Sequence, residues 1–189
     1  MQEIIKKARK WALEETERYG TPYVGHLDLA YEVGQRLSIE LDADKDMVAV
    51  GTYLMDIKLG QAKAEGKIEE HIGMSAKATT EFLKQFGIVE DIRQNIVNCV
   101  EAHHATIPYQ SLEAEICANA DCYRFLHPRG LFGYFILHGS HSLDFDSGLE
   151  KAENKLEEKW NILSLDICKK ELEPYYRMFK ELIDRAKEK

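Results

Sequence analysis

The spacing of apolar residues is the feature that most restricts the fold of this chain. Apolar side chains recur at intervals of three or four residues along almost the whole sequence, which places them on one face of an α-helix. No pair of alternating stretches is joined by an Asn-Gly or Asp-Gly turn, so no β-hairpin is predicted. We therefore expect an all-α protein, built as a compact bundle of several helices.

The same spacing predicts where the helices begin and end. After a first amphipathic helix that stops at Gly20, the predicted starting points are His26, Asp42 or Asp44, Gly73, Glu90 and Ser111. A short helix is predicted over 131–139, and loops over 59–68 and 140–147. Two long charged helices complete the chain, divided near residues 164–166, with a kink expected at Pro174.

The length and the absence of a linker favour one domain over residues 1–189, with the helices of 145–187 packed on the rest. These last helices are rich in aromatic and aliphatic residues. Two explanations remain open for their apolar faces: they cover the bundle, or they form the interface of a homodimer.

Charge and hydropathy exclude several classes of partner. The formal net charge is −8 and no long run of Lys and Arg occurs, so a duplex nucleic acid is not an expected partner. No apolar stretch approaches the roughly 18 residues that cross a bilayer, and no secretory signal is recognisable. We expect a cytoplasmic protein without a membrane partner, whose four cysteines are reduced and at least partly buried.

Polar residues on the apolar faces are the main indication of function. His26 lies three residues before Leu29, His103 follows Cys99 by four, and Asp121 follows Cys117 by four, so each is predicted to point inward. A buried carboxylate is costly unless it is paired or binds a metal, and helical bundles build metal sites from several helices. The spacing alone leaves two explanations open, a metal site or polar core residues that satisfy one another.

The order of these residues resembles the HD-domain superfamily of metal-dependent phosphohydrolases. The matching stretches are GHLDLA at 25–30, LMDI at 54–57, EHIG at 70–73, EAHH at 101–104 and ANAD at 118–121. The resemblance covers about residues 26–125. Together and in this order, the stretches are moderately specific for the family, whereas each stretch alone is weak evidence.

The resemblance implies a divalent metal centre, with Mn, Co, Ni, Mg or Fe as the candidate ions. The implied ligands are His26, Asp56, His71, His103, His104 and Asp121. One ion would be held by His26, Asp56 and Asp121, and a second would share Asp56 with His71 and one or both of the later histidines. In such a centre the metal activates water and polarises a phosphoryl oxygen.

The resemblance also implies a substrate and further catalytic residues. The substrate would be a nucleotide or another small phosphorylated metabolite. The implied catalytic residues are Asp56, Lys58, His103 and His104. Lys58, Arg124 and Arg129 are candidates to hold the substrate phosphate. Surface or structural roles are expected for His127, His138 and His141, which lie beyond the matched region.

One position departs from the family pattern. Met55 stands where the family has the histidine of its His-Asp pair, and the glycine usual after the pair is absent. A thioether is a soft donor that suits hard divalent ions poorly. The alternatives to an active phosphohydrolase are therefore a degraded HD domain that binds a ligand or regulates a partner, an oxygen-using di-iron variant, and an unrelated helical interaction module.

Overall fold

Helices joined by short connections make up the structure, a computed structural model that describes residues 1–139 and 144–188. The helices are α1 (Gln2–Tyr19), α2 (Val24–Glu40), α3 (Lys45–Leu54), α4 (Leu59–Ala64), α5 (His71–Leu83), α6 (Glu90–Glu101), α7 (Leu112–Leu126), α8 (Pro128–Gly139), α9 (Phe145–Ile162) and α10 (Asp166–Lys187). A 3-10 turn at Ile68–Glu70 precedes α5. No strand occurs in the described residues, so the prediction of an all-α bundle is confirmed.

Side-chain caps set the start of two helices on which the site depends. The Asp44 carboxylate accepts hydrogen bonds from the backbone N–H groups of Asp46 and Met47, which fixes the start of α3. The Ser111 hydroxyl accepts one from Ala114 and starts α7. Both caps agree with the starts predicted from the sequence, and α10 begins after the predicted break at Leu165.

The predicted loop over 59–68 is wrong, because this stretch contains α4 and the first residue of the 3-10 turn. Its Lys, Glu and Gly content suggested an irregular segment, but Ala62 is fully buried. A Cβ at Gly60 would lie 2.5 Å from the Cβ of Tyr19 and 2.7 Å from the carbonyl oxygen of Thr21. The close approach of α4 to the end of α1 therefore needs glycine, and tertiary packing overrides the local composition.

Other boundaries also differ from the predictions. Helix α6, which the sequence predicts to reach about His104, ends at Glu101, so His103 and His104 lie in the turn that follows it, and Ala105 adopts a left-handed φ of 54°. Pro174 lies inside α10. The predicted loop over 140–147 is shorter at its end, because α9 begins at Phe145, and residues 140–143 lie outside the described part of the chain.

Helix α7 lies at the centre of the bundle and packs on α2, α3, α6, α8 and α9. One apolar cluster joins α2, α7, α9 and α10 through Leu37, Tyr123, Leu156 and Leu172. A second joins α1, α3, α5 and α6 through Ile4, Leu54, Leu83 and Ile96. Because α3 also packs directly on α7, the end of α3 is held against the middle of the central helix.

Two features predicted from composition can be compared with the structure. All four cysteines are free thiols in the interior. None of the helices in ranges 1–139 and 144–188 has both the length and the apolar character needed to cross a membrane.

Candidate metal centre

The implied ligands lie at the ends of helices that pack on one another. Asp56 follows α3 by two residues, His71 is the first residue of α5, and His103 and His104 follow α6. Asp121 lies within α7. Because α3 packs on α6 and α7, and α5 packs on α6, these side chains converge.

Three histidines and one carboxylate form a compact cluster. Potential ligand atoms of His71, His103 and His104 all lie within 4.8 Å of one another. Asp56 Oδ1 lies 3.4 Å from His103 Nε2 and 3.7 Å from His71 Nε2. We refer to His71, His103, His104 and Asp56 as the histidine cluster.

Backbone carbonyls orient two of the rings. His71 Nδ1 lies 2.7 Å from the carbonyl oxygen of Ile68, and His103 Nδ1 lies 2.6 Å from that of Val100. A carbonyl oxygen only accepts, so each neutral ring carries its proton on Nδ1 and donates it there. The Nε2 lone pairs are then directed at Asp56 Oδ1, which is also an acceptor. This orientation by a backbone carbonyl is common for histidines that bind metals.

When these rings are neutral, no donor among the described residues lies where the acceptors meet. His103 is fully buried, and its Nε2 has no hydrogen-bond partner among the described residues. Buried polar atoms nearly always have a partner. A cation between Nε2 and the carboxylate would supply one, so the histidine cluster fits a divalent metal ion.

His104 completes the cluster on the cavity side. Its Nδ1 lies 3.9 Å from Glu158 Oε1. Burial, together with the neighbouring His103 and Lys159, lowers the pKa of His104 to about 3. The ring is therefore neutral at physiological pH and has a lone pair to donate.

The other side of Asp56 has a different arrangement. Arg124 Nη1 lies 2.7 Å from Asp56 Oδ2 and 2.8 Å from Asp121 Oδ1. Lys159 Nζ, from α9, lies 2.7 Å from Asp121 Oδ2. The Arg124 and Lys159 side chains are only 3% and 1% exposed. Two buried cations therefore face two buried carboxylates, and we refer to these four residues as the ion-pair network.

The charges in the ion-pair network stabilise one another. Burial by itself raises the pKa of a carboxyl group, but Arg124 holds the pKa of Asp56 well below its ordinary value. Lys159 and Arg124 do the same for Asp121. Burial alone would lower the pKa of both cations, yet the facing carboxylates raise it. All four groups are thus charged at neutral pH, and their charges cancel.

His26 does not offer its Nε2 to an ion. That atom lies 2.8 Å from the carbonyl oxygen of Gly130 and donates its proton to it. Burial and the nearby Arg124 lower the pKa of His26 to about 4, so the ring is neutral. Met55 is fully buried and does not line the adjoining cavity. At the ion position that the resemblance assigns to His26, Asp56 and Asp121, His26 Nε2 is already bonded and both carboxylates are already neutralised by Arg124 and Lys159.

The structure places the proposed phosphate-binding residues apart from the histidine cluster or inside the ion-pair network. Lys58 Nζ pairs with Glu15 at 3.2 Å and lies over the Trp11 ring, away from the cavity. Arg129 pairs with Glu32 at the surface. Arg124 is buried and paired, as described above. His127 contacts the rings of Tyr123 and Tyr175, whereas His141 and the side chain of His138 lie outside the described part of the chain.

A cavity of about 760 Å³ opens beside the histidine cluster, with His71, His104 and Asp56 in its wall. Lys63, Lys151 and Lys155 also line it. Lys155 pairs with Glu158, but the side chains of Lys63 and Lys151 form no ion pair or hydrogen bond with any residue that the structure describes. Tyr23, Phe125 and Leu59 add apolar surface. The lining suits a small anion that has an apolar part.

Lys159 was missed by the sequence reasoning, although a signal was present. Ala152, Leu156 and Leu163 form the buried stripe of α9 and its end, and Lys159 lies on that stripe, three residues after Leu156. A lysine in a core stripe needs a buried partner. Arg124 gave a similar signal, since it follows Asp121 by three residues on one helix.

Comparison with known proteins agrees with this fold. No protein-family model and no curated protein matches the sequence. Among solved structures, a predicted HD superfamily hydrolase from an uncultured Thermotogales bacterium superposes with a TM-score of 0.60 at 16% identity. The match covers 83% of this chain and 85% of that one. The chain therefore shares its all-α fold with a predicted hydrolase of the HD superfamily.

Proposed function

We propose that this protein is a metal-dependent phosphohydrolase that acts on a nucleotide or another small phosphorylated metabolite. The observation that supports it most is the histidine cluster beside a lysine-lined cavity. His103 Nε2, buried and without a partner, faces an ionised carboxylate oxygen. A bound divalent ion would satisfy both atoms.

The donors of the histidine cluster favour particular ions. Imidazole nitrogen suits Zn²⁺, Fe²⁺, Co²⁺ and Ni²⁺, whereas Mg²⁺ prefers a shell of oxygen donors. Three histidines and one carboxylate thus favour the nitrogen-preferring ions over Mg²⁺. Of the ions that the resemblance suggested, Co, Ni and Fe fit these donors better than Mg and Mn.

Different residues of the chain would contribute to different parts of phosphate ester hydrolysis. A divalent ion in the histidine cluster would supply Lewis acidity toward a phosphoryl oxygen and make water acidic near neutral pH. Lys63, Lys151 and Lys155 would attract and neutralise the phosphate. Arg124 holds Asp56 Oδ2 and so keeps Oδ1 directed at the histidines. Tyr23 and Phe125 would contact the part of the substrate beyond the phosphate.

The ion-pair network favours a second candidate, a ligand-binding domain without turnover. Arg124 and Lys159 already neutralise both aspartates, so the fold does not need an ion for charge balance there. In this case the lysines of the cavity would bind a phosphorylated ligand and release it unchanged.

Turnover separates the two candidates. Phosphate release would be measured for nucleotides and sugar phosphates with Co²⁺, Ni²⁺, Zn²⁺, Mn²⁺ or Mg²⁺, using the full chain. We expect ion-dependent release that His103→Gln abolishes and His127→Gln, the control for a histidine outside the cluster, retains. Phosphorylated ligands that bind but are not hydrolysed with any ion would contradict the proposal and support the second candidate.

A further inference from the structure

The two aspartates provide four carboxylate oxygens, and cationic side chains already contact three of them. Arg124 Nη1 contacts Asp56 Oδ2 and Asp121 Oδ1, and Lys159 Nζ contacts Asp121 Oδ2, all at 2.7 to 2.8 Å. Only Asp56 Oδ1 remains, and it faces His71 and His103. The oxygens are therefore divided between built-in cations and the histidine cluster.

The built-in cations carry the charge of a divalent ion and contact the same two carboxylates. One guanidinium and one ammonium together supply two positive charges, and they contact Asp56 and Asp121, two of the three residues that would otherwise hold an ion. Displacing them would leave Arg124 buried without a counter-charge and Lys159 with Glu158 alone, 3.1 Å from its Nζ, which is strongly unfavourable. His26 Nε2 bonds to Gly130, and Met55 adds no donor to the cavity wall.

We propose that Arg124 and Lys159 permanently replace one ion of a two-ion centre, so that the protein binds a single divalent ion in the histidine cluster. This inference rests on the proposed metal site. Asp121 is then a partner of the two cations and not a metal ligand. The bound ion adds charge to an otherwise neutral network, which makes the centre electropositive beside the lysine-lined cavity and suits an anionic substrate.

Stoichiometry of Co²⁺ binding tests this inference without any activity measurement. The full chain would be titrated with Co²⁺ and followed by visible absorption and by native mass spectrometry. We expect saturation at one equivalent per chain. Two equivalents would overturn the inference and leave the proposed metal site standing, whereas no binding would overturn the metal site and the inference with it.

Three variants, two on the side of the ion-pair network and one in the histidine cluster, assign the ion to one side of Asp56. His26→Gln keeps a donor for the Gly130 carbonyl, and Asp121→Asn keeps the shape of the side chain. We expect His26→Gln and Asp121→Asn each to bind one equivalent of Co²⁺ with a dissociation constant within about threefold of wild type. This change is smaller than the roughly tenfold loss of metal affinity that is typical even when a residue that only supports a ligand is replaced. His103→Gln should lose the ion. The inference is wrong if His26→Gln folds and loses the ion while His103→Gln keeps it. These two variants decide the question even if Asp121→Asn does not fold.

Discussion

His103 Nε2 lies 3.4 Å from Asp56 Oδ1, and both atoms are hydrogen-bond acceptors when the ring is neutral. An unsatisfied buried polar atom costs about 1–3 kcal/mol, so this contact weakens the fold until something positive lies between the two atoms. Arg124 Nη1, from α7, satisfies the other oxygen of the same carboxylate at 2.7 Å. Asp56 therefore joins the ion-pair network to the histidine cluster.

Ion binding should stabilise the fold selectively. Because the cluster offers three imidazoles, Co²⁺, Ni²⁺ or Zn²⁺ at about 100 times its dissociation constant should add about 2.7 kcal/mol to the free energy of unfolding, and Mg²⁺ at the same concentration much less. Thermal unfolding of the chelator-treated protein with each ion would measure this. Equal stabilisation by Mg²⁺ would contradict the assignment of donors.

Removing one imidazole from the cluster should weaken ion binding sharply. For His71→Gln and His103→Gln we expect the Co²⁺ dissociation constant to rise by more than about 100-fold, since losing a residue that merely supports a ligand already costs roughly 10- to 100-fold. Isothermal titration would measure the constants, with His127→Gln as the matched control. Unchanged affinity in His103→Gln would exclude that ring as a ligand.

The ion-pair network should be important for stability. Arg124→Met leaves the buried Asp56 carboxylate without its main counter-charge, so the free energy of unfolding should fall by about 3–5 kcal/mol. Arg129→Met is the control, because its pair with Glu32 is exposed and such pairs contribute about 0–1 kcal/mol. Urea unfolding compares them, and similar losses in the two variants would argue against a special role for Arg124.

The cavity lysines should govern substrate affinity and not ion binding. Replacing Lys63 or Lys151 by Gln removes one unpaired cation from the cavity, so we expect KM for a phosphorylated substrate to rise about two- to fivefold, the size expected of one exposed charge contact. Lys10→Gln on the outside of α1 is the control. If KM rises by the same factor in Lys10→Gln, the effect comes from the overall charge of the protein, and the cavity lysines do not form a phosphate site.

Placing at position 55 the histidine that the resemblance implies should not add a bound ion. Met55 is fully buried, and Arg124 already contacts the neighbouring carboxylate, so Met55→His should still bind one equivalent of Co²⁺. The variant should lose about 1–3 kcal/mol of stability, because the new ring lacks a partner. Native mass spectrometry would count the ions, and a second bound ion would show that the methionine alone had prevented it.

The helical class could be predicted because three- and four-residue periodicity is a local property of the chain. The caps at Asp44 and Ser111 are equally local, and both were predicted. The helix over Leu59–Ala64 was not, because it forms through contact between Gly60 and the end of α1, which no local pattern records.

The site could be predicted only in part for the same reason. The order of His71, His103 and Asp56 suggested that they meet, and the structure brings them together. Lys159, one of the two cationic partners of Asp121, comes from α9, outside the matched region. Only the tertiary structure shows that it reaches Asp121. Lys58 illustrates the opposite case, since it lies two residues from Asp56 yet pairs with Glu15 on α1.

Anomalous diffraction from crystals grown with Co²⁺ would test the central claim most directly. We predict one anomalous peak per chain, surrounded by Asp56, His71, His103 and His104, with Arg124 and Lys159 still bound to Asp121. A peak between His26, Asp56 and Asp121, or no peak in crystals that contain saturating Co²⁺, would contradict it.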